Sequence, residues 1–179
     1  MPRTNPGKKK PRSAQRTLLI YGEGLHEAMF LKHLHSLYAD KSGVAVKIRN
    51  GNGGSPKRLV AKARREPGDF EKRIVILDND KSPKEMLEAR AEATKIGVAI
   101  LENTPCLEAT LLSILNPNQN FSAKKSKWYK KEFEKNYISP QKRTEPEEYK
   151  KIFAKKTLDQ QQKRVSELKR LINLIQGTE

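Results

Sequence analysis

Three acids stand where a run of apolar residues has no structural use for them. The stretch "TLLIYGEG" (17–24) closes with Glu23, and "RIVILDND" (73–80) closes with Asp78 and Asp80. Both are runs of β-favouring residues, and a buried strand gains nothing by ending in carboxylates. Asp78 and Asp80 are two apart, so in extended chain their side chains point the same way, about 7 Å apart along the backbone. Glu27, four residues after Glu23, falls one turn into the helix that follows and is predicted to face the same crevice as a further metal ligand. Carboxylates gathered this closely repel one another, and their pKa values rise unless a cation neutralises them. Hard oxygen donors of this kind suit Mg²⁺ or Mn²⁺. The competing reading is that the acids merely cap helices. Against it, Ser82 and Glu85 have the spacing of a capping box at the next helix, which leaves Asp78 and Asp80 without that task.

Four short apolar runs read as the strands that carry these acids: 17–21, 44–49, 73–77 and 98–101. Segments of helical spacing lie between them, and this alternation predicts an α/β fold, a mostly parallel sheet with helices on both faces. In such sheets ligands sit beyond the carboxyl ends of the strands, where Glu23 and the two aspartates fall. The first helix begins near Gly24. The second follows "GNGGSP", with Ser55 as cap and Pro56 at the first position. A fourth starts near Thr104 and Pro105. Beyond Leu115 no β signal remains, and a last helix is predicted from a capping box at Thr157 and Gln160 to a stop at Gly177. The organisation predicted is a disordered basic tail (1–16), an α/β domain (17–116) and a basic helical extension packed on it (117–179).

Charge narrows the class of partner. The 179 residues carry a net charge of +16, a field that attracts polyanions, of which nucleic acid is the commonest; an anionic membrane or an acidic protein would also respond to it. No apolar stretch approaches the roughly 18–20 residues that span a bilayer, and the basic start lacks the apolar core of a signal peptide. The single cysteine, Cys106, excludes an internal disulfide framework and fits a reducing cytoplasm. Lys57 and Arg58 stand beside a glycine-rich turn that is either a plain turn or an anion nest. In "SAKKSKWYKKEFEKNY", Lys124, Lys125, Lys127, Lys130 and Lys131 are interleaved with Trp128, Tyr129, Phe133 and Tyr137. Such a stretch either stacks on unpaired bases and grips phosphates, or packs its rings inward with its lysines solvated. His26 is a surface histidine by default, with an acid or base role near Glu23 as the alternative. Cys106 reads as a small buried residue at a helix start.

The sequence "LLIYGEGLHEAMFLKHL" followed by "IVILDND" resembles the TOPRIM domain shared by topoisomerases, bacterial primases and the nucleases named for overcoming lysogenization defect. It is most similar to the RloB-like branch associated with bacterial phage defence. The glycine-rich turn "GNGGSPKRLVAKA" and the later "NTPCLEATLL" fall in the order that branch shows, and the resemblance covers residues 17 to about 116. It implies a metal-dependent nuclease with a TOPRIM fold, in which Glu23 is a metal ligand or general base, Asp78 and Asp80 hold the metal, and Glu108 is an extra ligand. It also implies the alternative of a noncatalytic, nucleic-acid-binding adaptor working with a partner ATPase. The chain departs from the family at Leu25 and His26, at Lys81 where a third acid often follows the aspartates, and at Leu107 and Ala109 where aromatics often flank the glutamate. A phosphatase with an aspartate nucleophile in "DND" is a more distant alternative.

Overall fold

Apolar residues on both faces of a strand require cover on both sides, and the first strand has them. In β1 (Arg16–Gly22) Leu18 and Ile20 join one core, whereas Leu19 and Tyr21 join another. β3 (Lys72–Asp78) divides in the same way, with Ile74 and Ile76 on one side and Val75 and Leu77 on the other. Strands of this kind belong at the centre of a sheet, and both are there. With β2 (Val44–Asn50) and β4 (Ala99–Asn103) they form a four-stranded sheet in the order β2-β1-β3-β4, every pairing parallel. The computed structural model describes residues 16–39, 43–121 and 124–178. The predicted basic tail therefore lies outside the described residues, apart from Arg16, which opens β1.

Helices cover the two faces unequally. α2 (Pro56–Arg65) and α3 (Pro83–Ile96) pack on one face through Leu59, Val60, Ala63, Met86, Ala89 and Ala93. α1 (Leu25–Tyr38) and α4 (Leu107–Leu115) pack on the other, where the rest of the chain joins them. That remainder comprises α5 (Ser126–Asn136), a 3₁₀ turn (Pro140–Lys142), α6 (Pro146–Ile152), α7 (Lys155–Gln161) and α8 (Ser166–Gln176). Phe133, Tyr149, Phe153, Leu168 and Ile175 share a core with Leu18 and Ile20 of the sheet. The α/β class, with helices on both faces and a helical C-terminal part, is as the sequence predicts.

Helix boundaries agree in part. Ser82 accepts from the Glu85 amide while Glu85 accepts from Ser82, the predicted box. Pro56 occupies the first turn of α2, but Ser55 makes no side-chain capping bond. α4 begins at Leu107, later than predicted, with Cys106 as its cap. The expected single terminal helix is two: Thr157 lies inside α7, whose cap is Ala154, and the amides of Arg164 and Val165 turn back onto the Gln161 carbonyl before α8 begins. The break lets Leu158, Val165 and Leu168 all reach the core. Gly177 ends α8 in the left-handed conformation, as predicted.

Candidate metal centre

The strand order places a topological switch between β1 and β3: β1 is followed by a crossover to one side, and the chain then returns to continue the sheet on the other. Ligand sites in open α/β sheets lie at such a point, beyond the strand carboxyl ends. Glu23 follows β1 directly, and its Oε2 accepts from the Asp78 amide at 3.1 Å. Asp78 is the last residue of β3 and is buried, 3 % exposed. The chain turns at Asn79 and Asp80 instead of continuing as strand, so the predicted strand geometry is not what aligns the two aspartates. They meet through a shared cation: Lys130 Nζ lies 3.2 Å from an oxygen of each. Lys81 Nζ plays a similar part, 3.1 Å from Glu23 and 3.8 Å from Asp80.

Two further acids close the site. Glu27, in the first turn of α1, is buried and accepts from the Gly24 amide at 2.9 Å. Burial, with the nearby charges of Asp78 and Glu108, pushes its carboxyl up to about 7. Asp78 is raised to about 6, again chiefly by burial, against which Lys130 works. Glu108, in the first turn of α4, is also buried and would be raised by desolvation. His26 Nδ1–H donates to its Oε1 at 3.0 Å and holds it below the ordinary carboxylate range, as Lys130 does to a lesser degree. Glu23, Glu27, Asp78 and Glu108 all line one cleft of about 260 Å³, with Lys130 and Arg143 on its wall. A larger hollow of about 490 Å³ between α4 and the α7–α8 turn has a single carboxylate, Glu167, on its wall and offers no comparable cluster.

Asp78 also corrects the sequence-based reasoning that left it without a capping role. Its Oδ1 accepts from the Leu107 amide at 2.9 Å, satisfying a free donor at the start of α4. Asp78 therefore ties β3 to α4 and brings three donor groups together. One ligand atom each from Asp78, Cys106 and Glu108, all three residues buried, lie within 4.8 Å of one another, so this group could hold a metal ion. Glu108 Oε2 is buried without a hydrogen-bond partner among the described residues. An unpartnered buried carboxylate oxygen is what an oxygen-seeking cation would satisfy, so the donor set fits a metal.

The basic residues sort into two groups. Lys57 and Arg58 are exposed at the start of α2, and Lys124, Lys125, Lys127 and Lys131 are exposed before and along α5. Lys130, predicted with them as a contact to nucleic acid, instead turns its ammonium into the acids. Of the interleaved aromatics, Tyr129 and Phe133 are buried in the core, while Trp128 is partly covered and has Lys124 Nζ 5.7 Å from its ring centroid. The glycine-rich turn does not present an open anion nest: the amides of Gly51 and Gly53 donate to the carbonyls of Gly22 and Glu23, and that of Asn52 to Asn50 Oδ1.

For three residues the sequence did not reveal the part they play. Lys81 and Lys130 are internal counter-ions. His26 is buried, not on the surface, and packs edge-on to Phe133 and Tyr149 while it holds Glu108. Nothing local marks Lys130 among its neighbouring lysines. A scan against protein-family models finds no match, and searches of curated proteins and of solved structures find none either.

Proposed function

We propose that the chain is a divalent-metal-dependent nuclease of TOPRIM, RloB-like type, acting on the phosphodiester backbone of DNA or RNA, with antiphage defence as the setting that type implies. The supporting observation is the convergence of Glu23, Glu27, Asp78, Asp80 and Glu108 around the switch point of the sheet. Glu23, Asp78 and Asp80 would hold Mg²⁺ or Mn²⁺, with Glu108 as a further ligand. Such an ion supplies charge neutralisation at phosphorus and lowers the pKa of bound water. The chain's own groups do the rest. Lys130 stands between the acids and the lysines of α5, where its ammonium can pair with a backbone phosphate once an ion relieves it of the aspartates. Glu27, raised to about 7, exchanges a proton near neutral pH; with Oε2 committed to Gly24, that proton rides on Oε1. The exposed Lys124, Lys125, Lys127 and Lys131 extend from the cleft as a rim that attracts the polyanion.

One observation favours a second reading. Lys81 and Lys130 already neutralise Glu23, Asp78 and Asp80, as a noncatalytic nucleic-acid-binding adaptor with a degenerate centre, working with a partner ATPase, would require. Incubation of the protein with DNA and with RNA, under Mg²⁺, Mn²⁺ or chelator, separates the two. Metal-dependent cleavage that is lost in Asp78→Asn is the result expected of the nuclease. Binding of equal strength in both proteins, without cleavage under any metal, overturns that assignment in favour of the adaptor.

A further inference from the structure

We propose that Asp78, Cys106 and Glu108 form an inner binding site for a thiophilic divalent cation, Zn²⁺ or Co²⁺, distinct through its thiolate from the oxygen-only group that would hold Mg²⁺, with which it shares Asp78 and Glu108. The three ligand atoms already lie within 4.8 Å of one another, so one ion can reach all three with small side-chain adjustments. Their placement follows from the fold. Asp78 ends β3 and accepts from the Leu107 amide, which fixes the start of α4. Cys106 caps that helix in extended conformation, and Glu108 stands in its first turn.

Each donor has capacity to spare. Glu108 Oε2 is buried and, among the described residues, unpartnered. Cys106, fully buried, has Sγ 4.0 Å from the Ser126 carbonyl, a weak contact that leaves the sulfur available. Among the described residues, Asp78 Oδ2 pairs with the Lys130 ammonium alone. His26 acts on the site through Glu108, holding Oε1 and so fixing the carboxylate plane, the usual task of an outer-shell partner.

Charge and coordination number agree with a divalent ion. On binding, the thiol gives up its proton to solvent as the metal–sulfur bond forms. Two carboxylates and a thiolate then carry three negative charges, which a divalent cation and the neighbouring Lys130 ammonium balance. Three protein donors would leave a fourth tetrahedral position for water, the donor count of reactive and not of purely structural zinc sites. A thiolate among the ligands discriminates against Mg²⁺, which takes oxygen donors only.

Cys106 is the only cysteine in the chain, so it is the source of any metal–thiolate signal. The test is a titration of the full chain with Co²⁺, followed by near-ultraviolet absorption and by equilibrium dialysis. Saturable binding with an intense sulfur-to-cobalt charge-transfer band is expected, absent in Cys106→Ser and reproduced at no concentration of Mg²⁺. Glu108→Gln is expected to weaken Co²⁺ binding at least tenfold. Saturable Co²⁺ binding to the native chain without that band, or no saturable binding, overturns the proposal. Because the native protein carries the decisive signal, misfolding of a variant does not obscure the outcome. Metal-dependent cleavage without the band would overturn this site alone, and the band without cleavage would overturn the nuclease assignment alone.

Discussion

Glu27 shows at the level of one side chain what the cluster costs. Its carboxyl is buried at the N-terminus of α1, where the helix dipole favours a negative charge, yet burial and the neighbouring acids dominate and raise it to about 7. A carboxyl whose folded pKa lies above its unfolded value near 4.5 takes up a proton on folding. Its contribution to stability is complete below pH 4.5 and is lost as pH rises through about 7. Glu27→Gln keeps the neutral form at every pH. The variant is therefore expected to match the native chain below pH 4.5 and to become progressively more stable than it between pH 4.5 and 7.5, by about 3 kcal/mol. Urea melts of both proteins at intervals across that range, in chelator, measure the difference. A divalent ion near the acids should shrink it, because the cation favours the charged carboxylate. A difference independent of pH would mean that Glu27 does not titrate in this window and that the acids are less crowded than their placement implies.

At the scale of elements, the acids depend on how closely the turn after β2 approaches the end of β1. A Cβ added to Gly51 would stand 2.4 Å from Leu59 Cδ2, 2.9 Å from the Gly22 carbonyl oxygen and 3.1 Å from that of Glu23. Two of these atoms are backbone and cannot rotate away. Gly51→Ala should push the turn off β1, break the hydrogen bonds from the Gly51 and Gly53 amides to the carbonyls of Gly22 and Glu23, and displace Glu23 from Asp78. The expected result is a loss of about 1–3 kcal/mol of stability in denaturant melts, together with weaker Mn²⁺ binding in dialysis. Unaltered Mn²⁺ affinity in a folded Gly51→Ala protein would remove Glu23 from the metal site. This level of organisation was only partly legible in the sequence. Short continuous apolar runs announced β1 and β3, and acids at their ends announced the crevice, because strand composition and strand-end chemistry are local. The switch between β1 and β3 depends on the order of strands across the sheet, which local patterning does not encode. The same limit hid the contacts of His26 with Glu108, 82 residues away, and of Lys130 with Asp80, 50 residues away. Thr157 and Gln160 mimicked a helix start because a capping box is a spacing rule, and the rule does not see the turn at Gln161 that sends Val165 and Leu168 to the core.

Across the whole molecule, a net charge of +16 coexists with a cleft crowded by acids. Overall charge draws any polyanion to the surface, but it does not say where the chain would be held. Lys124, Lys125, Lys127 and Lys131 are exposed, and the last two share a hollow with Asp80, Lys130 and Glu134, which places basic surface directly against the acidic centre. A backbone gripped there would lie with its phosphates beside the carboxylates, whereas one held elsewhere would leave the acids without a substrate. Counterion release distinguishes the two arrangements, since each lysine paired with a phosphate adds about 0.7 to the magnitude of the salt slope for single strands and about 0.9 for duplex. Changing those four lysines together to glutamine is expected to lower the slope of log affinity against log salt by roughly 3. The same number of changes at Lys95, Lys156, Lys163 and Lys169, all exposed on α3, α7, α8 or the turn between the last two, should lower it by less than about 1. Fluorescence anisotropy of a labelled oligonucleotide between low and physiological salt supplies both slopes. If the two sets lower the slope equally, binding follows the general field of the protein, and the lysines beside the cleft lose their place in substrate recognition even if metal binding at Glu23, Asp78 and Asp80 is established.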